Sequence, residues 1–257
     1  MFAPTSSTLE LTVCGRDFTF TQSPGSLQSS RSSGTTGAAV WRVSVKFAEW
    51  LLWPRNPLTV SGVLRPEAVV MELGSGISGL VPLVLAESVG RVVATDQPHV
   101  LKGLRGNVAA NVTPHPSSGK GRAGAAAAQR NAKAERIVVL PLDWEEDDAA
   151  SLLASNGFAE GVDVLLACDC VYNYALIEPL VQTCVDVCRV RQRSGADGRD
   201  GRPTVVVVAQ QLRQAEVFEQ WLSTFATTFR VWRVLDEALT VDLKGGTGFV
   251  VHVGVLR

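Results

Sequence analysis

Val69-Val70-Met71-Glu72-Leu73-Gly74-Ser75-Gly76-Ile77-Ser78-Gly79-Leu80 is the stretch on which the reading of this chain turns. Val69–Leu73 reads as a strand, the glycines as a turn, and residues 80–88 as the helix that follows. The three glycines have the spacing GxGxxG, which is informative when a strand precedes it and a helix follows. Gly74 and Gly76 let the backbone bend sharply and let a ligand approach with no Cβ in the way. By itself the motif suits a dinucleotide as well as S-adenosylmethionine.

Outward from this turn, apolar runs alternate with helical stretches. Toward the C-terminus, strands are expected near 91–95, 136–140, 162–168 and 203–210, with helices near 100–111, 176–190 and 215–225. Two last strands, near 229–235 and 248–255, have no helix between them. Such alternation means a parallel sheet covered on both faces. The fold class is therefore α/β: a Rossmann-like, seven-stranded, mostly parallel sheet with an antiparallel C-terminal hairpin at one edge and helices on both faces. Toward the N-terminus, a helix is expected from Trp41 to Trp53, ended by Pro54 and Pro57. Residues 8–22 alternate and read as a hairpin turning at Gly15-Arg16-Asp17; residues 23–38 read as loop. The chain divides into an N-terminal hairpin and loop extension, 1–40, and one domain, 41–257. Low-complexity insertions fall near 114–134 and 194–202.

Bulk properties exclude several classes. The 257 residues suffice for one sizeable core, and 46% of them are apolar. A formal net charge of −1 gives no overall pull toward nucleic acid or an anionic membrane. No stretch of apolar residues is long enough to span a bilayer, and residues 1–11 lack the pattern of a secretory signal. The five cysteines include no CxxC pair, which fits a reducing compartment, and the cytoplasm is expected. His99, His115 and His252 show no metal-ligand spacing, so no metal is expected.

The remaining polar residues of interest stand at strand ends, where open α/β sheets bind ligands. Asp96 follows the glycine turn by 20 residues; it suits the two hydroxyls of a ribose, or it caps a helix. Gln97 is beside it, facing where an adenine would lie. Asp143-Trp144 follows the third strand of the alternation, where an indole stacks on an adenine and a carboxylate accepts from its amino group, or where Trp144 is plain core. Asp169-Cys170-Val171-Tyr172 follows the fourth. A carboxylate and a phenol three residues apart suit an amine substrate, with Asn173 as a further contact; the alternative is that Asp169 caps the next helix. Trp41 covers the ligand or packs structurally. Trp50, Trp53, Trp221 and Trp232 fit core positions, and Cys168 and Cys170 are expected to be buried.

Taken together these stretches resemble the seven-strand lysine methyltransferases called methyltransferase family 16, and most of all the fungal ribosomal lysine methyltransferase group. The matching segments include TGAAVWRVSVKFAEWL, VVMELGSGISGL, VATDQPHVLKGLRGNV, LPLDWE, LLACDCVYNYALIEPLVQTCVDVCRVR and VVVVAQQLR, and with the C-terminal strands they span most of residues 36–257. The resemblance implies S-adenosyl-L-methionine as cofactor, held by Trp41, Gly74, Ser75, Gly76, Asp96, Trp144 and Cys168. It implies that Asp169 and Tyr172, the family's DxxY, receive the substrate lysine. Cys168 departs from the pattern, since many members have Ala there. The implied partner is a protein, a large-subunit ribosomal protein, met by a monomer without direct contact to nucleic acid or membrane. Three other readings compete: a non-enzymatic scaffold with this fold, an NAD-dependent oxidoreductase, and a methyltransferase of small molecules or nucleic acid.

Overall fold

The computed structural model describes residues 6–22, 39–112, 135–195 and 201–257. The loop expected at 23–38 and the insertion near 114–134 lie outside the described residues, as does part of the one near 194–202. In chain order the elements are β1 (Thr8–Val13), β2 (Arg16–Thr21), α1 (Arg42–Leu51), α2 (Pro57–Val60), β3 (Val69–Leu73), α3 (Leu80–Leu85), β4 (Arg91–Asp96), α4 (Leu101–Val112), β5 (Ile137–Pro141), α5 (Ala149–Ser155), β6 (Val164–Cys168), α6 (Ile177–Gly195), β7 (Val205–Gln211), α7 (Ala215–Thr228), β8 (Phe229–Arg233) and β9 (Phe249–Leu256).

Seven strands form one sheet in the order β5-β4-β3-β6-β7-β9-β8. The first five run parallel, and β9 is antiparallel to both β7 and β8. The expected mostly parallel sheet with an antiparallel edge pair is present. The last strand in sequence lies inside the sheet and β8 takes the edge. Strand order reverses between β3 and β6, so the turns after these two strands diverge and leave a crevice at their carboxyl ends. That crevice is where the functional residues collect.

Alternation along each strand splits the core into two layers. Val70, Val92, Leu166, Val207 and Val251 join Phe47 and Trp50 of α1, Leu83 of α3 and Leu104 of α4 on one face. Met71, Val93, Leu165 and Val206 join Leu153 of α5, Val187 of α6 and Trp221 and Phe225 of α7 on the other. Burying such side chains stabilises the fold by roughly 1.5–3 kcal/mol each. Trp232 departs from the core assignment: it is on the edge strand β8 and is 54% exposed.

The N-terminal hairpin is a separate two-stranded sheet. Its turn is Cys14-Gly15, both with positive φ, and Arg16 and Asp17 already belong to β2. The expected turn at Gly15-Arg16-Asp17 is thus one residue late. Two central residues with positive φ twist a hairpin the way its strands twist. Phe18 and Phe20 bury themselves in the α1 layer. Two amides of α4 complete the attachment. Asn107 accepts from Thr21 N at 2.8 Å and donates to Thr21 O at 2.9 Å. Asn111 does the same for Thr19, at 2.9 and 2.8 Å. Each amide turns a donor and an acceptor toward β2, so the pair substitutes for a neighbouring strand.

Candidate active site

The glycine turn is built by its own backbone demands. Gly74, Gly76 and Gly79 all have positive φ, at 66°, 62° and 57°. A Cβ on Gly74 would lie 3.0 Å from Cys170 Sγ and 3.4 Å from Trp144 Cζ2. The turn is clipped to β4: Ser75 N donates to Thr95 O at 2.8 Å, and Gly76 N donates to Asp96 Oδ2 at 2.7 Å. Asp96 therefore caps no helix through its carboxylate; it holds the glycine turn and takes Gln97 N on its other oxygen at 2.8 Å. Each carboxylate oxygen accepts more than one hydrogen bond, so both retain acceptor capacity toward the cavity. Desolvation raises this carboxyl to about 6, partly offset by the two backbone donors.

Gln97 donates through Nε2 to Asp143 Oδ2 at 3.0 Å, which fixes both side chains on the wall beside Trp144. Under the turn is Glu72, an acid in an otherwise apolar strand. It is buried, its Oε2 has no hydrogen-bond partner among the described residues, and the Ser75 Oγ next to it has none either. Burial pushes Glu72 up to about 8. Sequence reasoning assigned Glu72 no role, although a lone acid inside an apolar strand at a ligand-binding turn was visible.

Asp169 follows β6 with φ +60°, a left-handed conformation uncommon for any residue but Gly, though Asp tolerates it better than most. Such strain persists only when the surroundings over-determine it. Here Asp169 N donates to Ala209 O at 2.8 Å. Its Oδ1 accepts from Gln210 Nε2 at 3.0 Å and Gln211 N at 3.2 Å, and its Oδ2 pairs with the Arg213 guanidinium. Gln210 also brackets the DxxY turn, donating to Val171 O and accepting from Val171 N at 2.9 and 3.1 Å. The Arg213 guanidinium is stacked 4.6 Å above the Trp41 ring centroid. Gln210 and Arg213 were both overlooked from sequence, though VVVVAQQLR passes abruptly from apolar to polar at the carboxyl edge of β7. Asp169 does not cap the following helix. Asn173 does, accepting from Ala175 N at 3.1 Å, and it also lines the cavity.

Trp41, Gly74, Ser75, Gly76, Asp96, Trp144, Cys168, Asp169 and Tyr172 all line one cavity of about 390 Å³, together with Gln97, Asp143 and Arg213. That volume suits a cofactor-sized ligand. Cys168 and Cys170 are buried as expected; desolvation raises both thiols well above their ordinary range. Cys170 donates to Leu73 O at 3.3 Å, packing the strand end. An adenosyl cofactor fits what is here. The Gly74 cradle has no room for a side chain, Ser75 is buried in the cavity wall, and Asp96 retains acceptor sites. Among the described residues, no helix is long and apolar enough to cross a membrane.

The lysine methyltransferase family profile matches residues 24–121 and 122–195. A ribosomal lysine N-methyltransferase 5 of Lachancea thermotolerans is 27% identical, over 84% of this chain and 75% of its own. That of Zygosaccharomyces rouxii is 29% identical, over 80% and 69%. A diaminohydroxyphosphoribosylamino-pyrimidine deaminase of Schizosaccharomyces pombe is 30% identical over 87% of this chain, which spans 45% of that longer protein. A putative SAM-dependent methyltransferase from Streptococcus mutans shares the fold, with a TM-score of 0.51 and 7% identity, covering 97% of this chain and 56% of that one. A putative methyltransferase complexed with SAH aligns over the same shares at a TM-score of 0.50 and 7% identity.

Proposed function

Since the chain belongs to the lysine methyltransferase family, we propose that it is an S-adenosylmethionine-dependent protein-lysine N-methyltransferase acting on a large-subunit ribosomal protein. The observation that carries this reading is the meeting of the glycine turn, Asp96 and the Asp169–Tyr172 pair around one cavity. The ribosomal target is supported by the names of the relatives, ribosomal lysine N-methyltransferase 5, over most of the chain.

When bound, S-adenosylmethionine supplies a methyl group already activated by its sulfonium. The protein's task is then to bind, to orient and to exclude water. Gly74 and Gly76, with no Cβ, would let the cofactor approach the backbone closely, with Ser75 between them. Asp96 would accept from the ribose hydroxyls, and Trp144, beside the Gln97–Asp143 pair, would cover the adenine. Asp169 and Tyr172 border the acceptor side. A lysine nitrogen attacks only as the neutral amine, although free lysine titrates near ~10.4, so the narrow, partly apolar slot must disfavour the charged form.

The test is transfer of label from S-adenosylmethionine into a fungal ribosomal-protein extract, with wild type beside Asp169→Ala. One labelled protein, modified on lysine and lost in the variant, is the expected result. Label on another residue type, or full transfer by the variant, refutes the assignment.

A further inference from the structure

Arg213 sits in an unusual place for a cation. Its guanidinium is clasped between the Asp169 carboxylate and the face of Trp41, and all three side chains border the acceptor side of the cavity. A carboxylate and an aromatic face are the two groups that best hold an alkylammonium ion. Both are already engaged. The Asp169 side chain is 3% exposed, and its two oxygens take the guanidinium, the Gln210 amide and the Gln211 backbone N–H. A guanidinium does not give up its proton in a protein, so the seat stays charged and filled.

We propose that Arg213 fills the cation seat of the acceptor slot, so that the slot admits a lysine as its neutral amine and turns the ammonium form away. The proposal rests on the lysine-transfer reading above and explains how that slot meets its chemical requirement. An unpaired Asp169 would do the opposite: it would bind the ammonium form most tightly and raise the pKa of the amine. Paired with Arg213, the carboxylate keeps its place at the turn but offers no net charge. The lysine leaves its proton with bulk water before entering. Its nitrogen then forms the new N–C bond as the S–C bond breaks, leaving a thioether and a positively charged methylated nitrogen. With the seat filled, that cation finds no free counter-charge either, which promotes its exit to water, where it sheds a proton. Arg213 is thus a positioning residue that acts through Asp169 and Trp41.

The test needs no protein substrate. Binding of n-butylammonium and of 1-butanol, charged and neutral mimics of a lysine side chain, is compared by ligand-observed NMR with S-adenosylhomocysteine present. Near neutral pH an alkylamine is almost wholly charged, its pKa being about that of lysine, ~10.4. Wild type should favour the alcohol. Arg213→Gln should reverse the order and bind n-butylammonium about tenfold or more tightly than wild type does. Arg213→Lys, which restores a cation, should return the wild-type order. Calorimetry with S-adenosylhomocysteine shows that each variant is folded. Preference of the wild type for n-butylammonium overturns the proposal without any variant, and so does an Arg213→Gln protein that still favours the alcohol. Failure of lysine labelling in the extract would sink the enzymatic reading alone, because the charge preference of the slot is measured separately.

Discussion

Two carboxylates beneath the cavity have their acidities displaced in the same direction, and each leads to a prediction at the scale of one residue. Asp96 is held by Gly76 N and Gln97 N and faces the cavity with spare acceptor sites. Asp96→Ala should weaken S-adenosylhomocysteine binding by 1.5–3 kcal/mol, roughly 10- to 150-fold, as judged by calorimetry. Unchanged affinity would refute the ribose role. Glu72 is raised from 4.5 to about 8, chiefly by desolvation. Between those values the folded protein binds more protons than the unfolded chain, so stability falls as pH rises through the interval. Glu72→Gln should remove that loss, worth on the order of 2–4 kcal/mol, when urea midpoints near pH 5 and pH 9 are compared. An unaltered slope would show that Glu72 ionises freely. Residue types with obvious chemistry at strand ends, such as Asp96 and Asp169, were legible in the sequence. Gln210 and Arg213 were not, because their meaning lies in contacts with Asp169 more than 40 positions away.

Single elements are held by groups that a propensity argument does not see. Gly79 opens α3 in a left-handed conformation, and a Cβ there would come within 2.6 Å of Leu104 Cδ1. Gly79→Ala should lower stability by about 1–3 kcal/mol through strain and overpacking, and this should appear in a urea titration. The hairpin depends on α4 in a comparable way. Asn107 bonds Thr21 on both sides and also donates to Ile77 O at 2.8 Å, so one amide joins the hairpin to the glycine turn. Asn107→Ala should cost about 1–3 kcal/mol and expose β1 and β2 to limited proteolysis; a wild-type cleavage pattern would contradict the anchoring role. Long apolar strands flanked by glycines were readable from sequence to within a residue or two. Helix α5 was not, since AASLLAS is short and carries little pattern, and its start is set by Asp148 accepting from Ala150 N and Ser151 N. The hairpin turn was displaced because Cys14 is not a residue from which a left-handed backbone is expected.

At the scale of the whole molecule, the cavity is the junction of β3, β4, β6 and the N-terminal helix α1, which carries Trp41 at its cap. A ligand that binds there only in the folded state stabilises every layer at once. A hundredfold excess over Kd of S-adenosylhomocysteine should add about 2.7 kcal/mol. The melting temperature should then rise by roughly 5 °C or more in wild type, and by much less at the same concentration in Asp96→Ala. Equal shifts in the two proteins would place the binding site elsewhere. The alternation of strands and helices made the architecture legible at this scale, and the position of β9 was the part that pattern alone left open. Edge and interior strands both read as apolar runs, and only pairing distinguishes them.

That position has a consequence for the order in which the molecule assembles. Strand β8 pairs with the sheet by way of β9, which comes later in the chain and itself pairs with β7. Between β8 and β9 the backbone makes a detour that reaches α1, where Trp50 Nε1 donates to Ala238 O at 2.8 Å. A nascent chain that has emitted β8 but not β9 has an open seam along β7 and a strand with nowhere to go. Closing this side of the sheet is therefore a late, long-range event, and refolding should show β9 amides gaining protection from exchange no later than those of β8.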